Sequence, residues 1–356
     1  VKKWKLVLCN TDGTQIGSLT AATSRKLTWV LDDAASASFT IPGTHKQAQG
    51  IVEASTDLVA YDRNGQKRFR GRIGPSGDDI SSAGHVSTFS ATDYRGLVGR
   101  RIIWPGSTLV FTTEEQVSIA WQLIADTQAT TGGDLGITVG TSLTTSTPRS
   151  ETYQEGALIG DTLKTLGDLA GGFDWEVDPD LKFNTFFPER GIDPGVTLSY
   201  PVQLSKVQRT VDTTLFGNAI RQSGDSTILP ATAVGAIGAA GRWELQFGDT
   251  LILDEPTLTA RATWQLAQSI EIDPSYVLTM KPGVWTPELL WLGDTMTLVV
   301  KSGRLDVNAD FRVSQIEVAL GDDGGETVTI TVGPVIRNPN ARLRLALQRL
   351  SKLETR

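Results

Sequence analysis

Over the first hundred residues, apolar positions come in short alternating or continuous runs separated by turn residues. Lys3–Cys9 reads as a strand, followed by the turn Asn10-Thr11-Asp12-Gly13. Leu27–Leu31 and Ser36–Ile41 are strand-like and are broken by Asp32-Asp33 and Pro42-Gly43. Leu58–Asp62 and Lys67–Ile73 flank Arg63-Asn64-Gly65-Gln66. Asn-Gly between two such runs predicts a hairpin. Val86–Ala91 continues the pattern. Short strands at this spacing predict a barrel or sandwich over residues 1–104.

The period then lengthens. Thr113 and Gln116 have the spacing of a capping box. Val117, Ala120, Trp121 and Ile124 recur at helical spacing, predicting a helix over Glu114–Thr127 that stops at Gly132-Gly133-Asp134. Asp161 is placed to cap a second helix with Leu163, Leu166 and Ala170 on one face. Phe173–Val177 and Lys182–Phe187 read as a hairpin around Asp178-Pro179-Asp180, so residues 105–195 form an α+β insert.

From Val196 the chain returns to strands: Gln203–Val211, Leu215–Gln222, Trp243–Phe247, Tyr276–Met280, Thr295–Lys301, Phe311–Leu320 and Thr327–Val332. The uncharged, Pro/Ala/Gly-rich stretch 229–241 reads as a mobile loop. Pro256 suits a helix first turn, and Leu258, Ala262, Leu266 and Ile270 give a helical stripe. After a second β part over 196–335, Asn338-Pro339 opens a last helix, Pro339–Glu354, within 336–356. Leu343, Leu347, Leu350 and Leu353 fall on one stripe of it, with Arg342 and Arg349 opposite. A helix this short is marginal alone, so its leucines need a partner. A contact across an assembly is expected for it.

The 356 residues suffice for two or three domains, and 25 aromatic residues supply a sizeable core. No apolar run reaches the roughly 18 residues of a membrane-spanning helix, and Leu6–Cys9 is too short for a secretory core. The single cysteine, Cys9, allows neither an intrachain disulfide nor a CxxC metal site and reads as a buried small hydrophobe. The net charge of −7 is uneven: residues 337–356 hold six basic residues and one acid, so this tail carries +5 and the rest −12. An acidic body argues against a nucleic-acid groove. It fits a surface that must not hold DNA, such as acids lining a channel, and it equally serves solubility.

Candidate chemistry is thin. Leu251–Thr257 looks like the strand and acid of an ABC-type ATPase, but no Gly-Lys dipeptide exists to build the phosphate loop. Gly235, Gly238 and Gly241 lack the spacing of a dinucleotide loop. Asp174, Glu176, Asp178 and Asp180 alternate as one wet face of a strand does, and Pro179 stands where a calcium loop needs glycine. Glu114 and Glu115 suit a helix first turn. His45 reads as a surface loop residue, and nothing pairs it or His85 with a nucleophile. Trp104, Trp285 and Trp291, beside prolines or glycines, pack turns or stand exposed. The sequence therefore names no catalytic, cofactor-binding or metal-ligating residue.

Three groups of segments taken in order carry a resemblance. The first is Phe39-Thr40-Ile41-Pro42, Leu58–Asp62, Phe69–Ile73 and Ala91–Leu97 with Arg100-Arg101. The second is Ile119–Ile124, Gly136-Ile137, Arg149, Tyr153 and Phe173-Asp174-Trp175 leading to Phe183. The third is Leu292-Gly293-Asp294, Phe311-Arg312-Val313 and the strand Glu326–Val332. Together they resemble the minor tail, or tail hub, proteins of long-tailed non-contractile bacteriophages, over about residues 1–335.

The resemblance implies a structural role and a fold similar to contractile-baseplate hubs. That fold is mainly β, with two tube-like β-barrel domains, an α+β domain and a further C-terminal element. It implies a homotrimer in the virion that is assembled in the host cytoplasm. Its three copies would close the distal end of the tail tube, matching a sixfold tube to a threefold tip. The implied neighbours are a distal tail ring protein, the tape measure protein and tail-tip or receptor-binding proteins. No cofactor, specific nucleic-acid binding or stable membrane insertion is expected, nor a hydrolase domain in the last 20 or so residues. A tail-associated cell-wall or glycan hydrolase and a carbohydrate-binding tail module are the alternatives.

Overall fold

The structure, a computed structural model, describes residues 3–333 apart from positions 83, 105, 107, 142–147, 168–171, 212, 214–215, 225, 240, 249–254 and 271–273. The helix expected at Pro339–Glu354 lies outside the described residues, as does Asp254 of the ATPase-like segment. The chain is mainly β with an α+β insert, as its periodicity predicts.

The first part contributes seven strands: β1 (Lys5–Asn10), β2 (Gln15–Ser18), β3 (Thr23–Val30), β4 (Ser36–Pro42), β5 (Thr56–Tyr61), β6 (Lys67–Ser81) and β7 (Gly84–Asp93). They lie antiparallel in the order β3-β4-β7-β6-β5-β1-β2. The predicted hairpin joins β5 to β6. Gly65 takes the positive φ of +82° that its turn needs. Asp62 Oδ1 accepts from the N–H groups of Asn64 and Gln66 at 2.8 and 2.9 Å. Four strands separate β1 from β3, yet Trp4 and Trp29 stand 6.0 Å apart, so this part curls upon itself. Trp291 continues the ring contacts, 5.2 Å from Trp29 and 6.2 Å from Trp285. Such pairs are each worth about 0.5–1.5 kcal/mol beyond area burial. His45 caps the short helix α1 (Lys46–Gln49), where its Nδ1 accepts from Gln47 N–H. Asp93 caps α2 (Tyr94–Gly99), accepting from Gly96 N–H at 2.9 Å.

The insert begins with β8 (Leu109–Glu115), α3 (Gln116–Ala129), β9 (Thr138–Val139), β10 (Pro148–Tyr153) and α4 (Ile159–Gly167). It ends with β11 (Asp174–Val177) and β12 (Lys182–Phe186). α3 begins two residues later than its pattern predicts. Thr113 and Glu114 extend β8, and Glu115, not Thr113, is the cap, accepting from Val117 and Ser118 N–H at 2.8 and 3.1 Å. Asp161 lies within the first turn of α4 and does not cap it. Ile119, Leu123 and Ile124 of α3, Ile159 and Leu163 of α4 and Phe183 of β12 are fully buried together, as the helical and strand periods require.

The third part supplies β13 (Thr197–Ser199), β14 (Leu204–Val211), and then β18 (Pro274–Met280), β19 (Thr295–Ser302), β20 (Leu305–Leu320) and β21 (Glu326–Gly333), once the elements between are counted. β20 pairs with β3 from Gln315↔Val30 to Leu320↔Arg25, joining the two β parts in one sheet. Its 13 strands follow the path β14-β18-β21-β20-β3-β4-β7-β6-β5-β1-β2, with β19 on β20 and β13 on β19. The elements between are β15 (Ala219–Ser223), β16 (Ala231–Val234), β17 (Glu244–Gly248) and α5 (Glu255–Ser269). Residues 208–276, which hold these elements, form a compact unit of their own. There the loop expected at 229–241 contains β16, paired to β15 from Ala219↔Val234 to Gln222↔Ala231. Alanine and threonine leave too faint a period to announce this strand.

Candidate assembly surface

One buried ion pair holds the insert to the sheet. Arg312 on β20 sets Nη2 2.6 Å from Asp174 Oδ2 on β11. The same nitrogen donates to Arg190 C=O at 2.8 Å, and Nε donates to Gly293 C=O at 3.2 Å. Arg190 N–H also donates to Asp174 Oδ2 at 2.8 Å. The reading of Asp174–Asp180 as one wet face is therefore corrected at Asp174, which is buried. Glu176 ion-pairs with Arg190 at 2.7 Å, and Asp178 Oδ1 closes the turn by accepting from the N–H groups of Asp180 and Lys182.

A second clamp lies inside the first part. Fully buried Asp57 accepts from Arg70 Nε at 3.0 Å, Arg72 Nε at 2.7 Å and Tyr94 OH at 2.7 Å. Burial, the Asp57 charge and that bond push the Tyr94 phenol up. Nearby, burial pushes Asp93 up to about 6, against the lowering effects of its bonds to Gly96 and Ala35 and of Arg95.

These charged groups are committed to structure. A cleft of about 280 Å³ is lined by Arg68, Arg70, Arg95, Arg190, Asp93 and Glu176. Each of its guanidiniums has a partner: Asp62, Asp57, the Trp175 carbonyl and Glu176. A larger cleft of about 630 Å³ opens between the start of β1 and the β20–β21 turn, with Lys3, Lys5, Arg25, Arg63, Asp322 and Glu326 on its walls. There Glu326 is held by Arg63 and by the Trp4 indole N–H. His85 Nε2 and Ser87 Oγ both meet Asp78 Oδ1, so serine and histidine share a carboxylate and do not form a relay. Among the described residues no group of three His, Cys, Asp or Glu could hold a metal ion. Cys9 is buried in β1.

What the fold leaves open is sheet edge and exposed apolar surface. β2 and β14 end the strand path. The outer half of β6, Gly74–Ser81, pairs with β7, but its register with β5 stops at Arg72. Leu305–Phe311 of β20 pair with β19, and β21 reaches only Arg312. Such edges are templates for another chain. Ile80, near the tip of the β6–β7 hairpin, is 75% exposed. Of the three tryptophans singled out, Trp285 is buried and donates to Leu290 C=O at 3.0 Å, and Trp291 stacks on it. Trp104 is 61% exposed. The expected assembly residues Leu343, Leu347, Leu350, Leu353, Arg342 and Arg349 lie outside the described residues. Sequence reasoning missed the Asp174–Arg312 and Asp57 clamps, because their partners are far apart along the chain.

No family model matches the sequence, and no curated protein matches it. Solved structures do. The tail protein from Neisseria meningitidis MC58 aligns over 95% of this chain and 99% of its own, at 13% identity and a TM-score of 0.67. The 43 kDa tail protein of prophage MuSo2 from Shewanella oneidensis aligns over 95% of this chain and 98% of its own, at 14% identity and a TM-score of 0.67. An Escherichia coli type VI secretion component, described as structurally similar to T4 tail proteins gp27 and gp5, covers 89% of this chain and 74% of its own. Its identity is 11% and its TM-score 0.50. The resemblance read from the sequence thus holds at the level of fold, and this chain shares its fold with phage tail proteins.

Proposed function

We propose that this chain is a structural protein of a phage tail, a hub that closes the distal end of the tube. The observation that carries the reading is the near end-to-end likeness to two tail proteins, one of them from a prophage, at a TM-score of 0.67. The joined sheet supports it, since its terminal strands and two half-paired hairpins offer edges that ring assembly would cover. Three copies form the hub, and the parts 1–104 and 196–335 act as two tube-like domains in each. A distal tail ring protein and the tape measure protein meet it above, and tail-tip or receptor-binding proteins meet it below. Leu343, Leu347, Leu350 and Leu353, with Arg342 and Arg349, form the assembly contact at the chain end. The role is non-enzymatic.

Mass measurement in solution tests the trimer. A species of about 115 kDa, three times the 38.3 kDa chain, is expected. A stable monomer at every concentration contradicts it. Zymography on host cell walls tests the absence of catalysis. Clearing that survives purification and is abolished by changing one carboxylate contradicts that part.

A further inference from the structure

The charge of the body is concentrated in the insert. Residues 105–195 hold 14 acidic and four basic residues, a net −10, whereas residues 1–104 carry +5. The segment after Gly333 carries +5 and alternates leucine and arginine at helical spacing. Two opposite charge concentrations of this size attract over a Debye length of about 8 Å at physiological salt.

An apolar ledge stands where the first part passes into the insert. Ile102 pairs across an isolated antiparallel bridge with Leu158. Ile103 N–H donates to Ala157 C=O, and Gly156 N–H donates to Ile103 C=O. By strand alternation Ile103 and Ala157 turn inward, and Ile103 is fully buried. Ile102, Trp104 and Leu158 therefore turn outward together, opposite a glycine at 156. Leu158 is 43% exposed, and Trp104 is the most exposed tryptophan among the described residues. Beside them, Glu155 Oε2 accepts from Gly106 N–H, and Asp161 stands exposed in the first turn of α4.

Gly333 ends β21 directly opposite Arg312, and Arg312 is the residue that grips Asp174 of the insert. The chain therefore leaves the sheet beside its own insert. Rotation about a symmetry axis preserves height, so in a ring the exit also lies level with the neighbours' inserts. Seven residues of chain reach up to about 23 Å, and 16 residues at helical rise would reach about 24 Å more. That is enough to cross from one copy to the next, since a 91-residue domain is roughly 25–30 Å across.

We propose that the leucine stripe of residues 341–356 docks on the Ile102–Trp104–Leu158 ledge of a neighbouring copy, with its arginines against the acids of that copy's insert. This rests on the trimeric reading above and names the partner of the chain-end contact. Trp104 is the anchor, in the manner of a tryptophan at the centre of an interface.

The native cysteine is buried, so introduced cysteines can be cross-linked selectively. Two full-length copies with different affinity tags are coexpressed, one carrying Gln154→Cys beside the ledge and the other Gln348→Cys beside the leucine stripe, and treated with a short bismaleimide. The mass of the uncrosslinked assembly is measured first. A trimer whose cross-link joins the two tags is the expected result. A trimer with no link between tags, or a Q154C/Q348C double variant that links only within one chain, overturns the docking and leaves the trimer standing. A monomer overturns the trimeric reading and the docking with it. Trp104→Ser in the otherwise native chain provides a second readout. It should weaken trimerisation at least about tenfold while leaving unfolding of the chain unchanged. Unchanged trimerisation overturns the proposal.

Discussion

Arg312 and Asp174, 138 positions apart in the chain, meet at 2.6 Å with both side chains buried, and this pair locks the α+β insert to the strand that joins the two β parts. Arg312 also donates to two backbone carbonyls, so one guanidinium ties Asp174, Arg190 and Gly293 together. Breaking a buried pair from one side leaves an unpaired charge and costs about 3–5 kcal/mol. Arg312→Ala should therefore lower stability by roughly that amount in urea titration. The double change D174A/R312A should cost less than the sum of the singles, because it leaves the partly exposed Glu189, and not the buried Asp174, as the carboxylate that has lost Arg312. Strict additivity would mean that the two residues are not coupled.

Asp57 makes a parallel prediction inside the first part. It is fully buried and accepts from Arg70, Arg72 and Tyr94 at once. Asp57→Ala strands two guanidiniums in a low-dielectric site and should cost about 3–5 kcal/mol. Tyr94→Phe removes one donor to Asp57 and the acceptor of Arg72 Nη2, leaves both ion pairs, and should cost about 1–2 kcal/mol. Equal effects in chemical unfolding would place the weight of the clamp on the phenol instead.

Asp93 introduces a pH dependence with a definite sign. Its carboxyl is held near 6 in the folded chain, against an ordinary 3.8. The folded state therefore binds more proton than the unfolded state between these values. Its contribution falls as pH rises from about 4 to about 6 and is flat above, with at most about 3 kcal/mol at stake. Arg95 opposes the shift and Glu176 adds to it. Asp93→Asn keeps the cap of α2 and removes the titration, so the drop in unfolding midpoint between pH 4 and pH 6.5 should shrink. An unchanged drop would assign it to other groups.

The tryptophans separate packing from surface. Trp291 touches Trp29 and Trp285 and lies under Arg68. Trp291→Ala should cost about 3 kcal/mol or more. Trp104→Ser should change the stability of the chain by no more than about 0.5 kcal/mol. Thermal unfolding of the two variants side by side reads the difference directly.

Local signals were legible in the sequence. Asn64-Gly65 carries its own turn chemistry, and the stripe Ile119–Ile124 can bury only one face, so both are where the pattern puts them. The start of α3 was less legible, since both Thr113 and Glu115 can cap a helix and the pairing of β8 with β10 decided between them. The join of β3 to β20 brings together residues nearly 300 positions apart, which no local period encodes. Asp174 misled for the same reason: alternation beside Phe173 and Trp175 looks like a wet strand face until Arg312 arrives. Trp104 and Trp285 have similar proline and glycine neighbours, and only the tertiary packing shows which one is exposed.

A cryo-EM map of the tail of the particle that carries this chain decides its proposed place in the virion. Three copies are expected at the distal end of the tube, each fitted by the joined sheet with Arg312 gripping Asp174. A particle whose distal tip lacks the chain, or that holds it elsewhere in the tail, would contradict it.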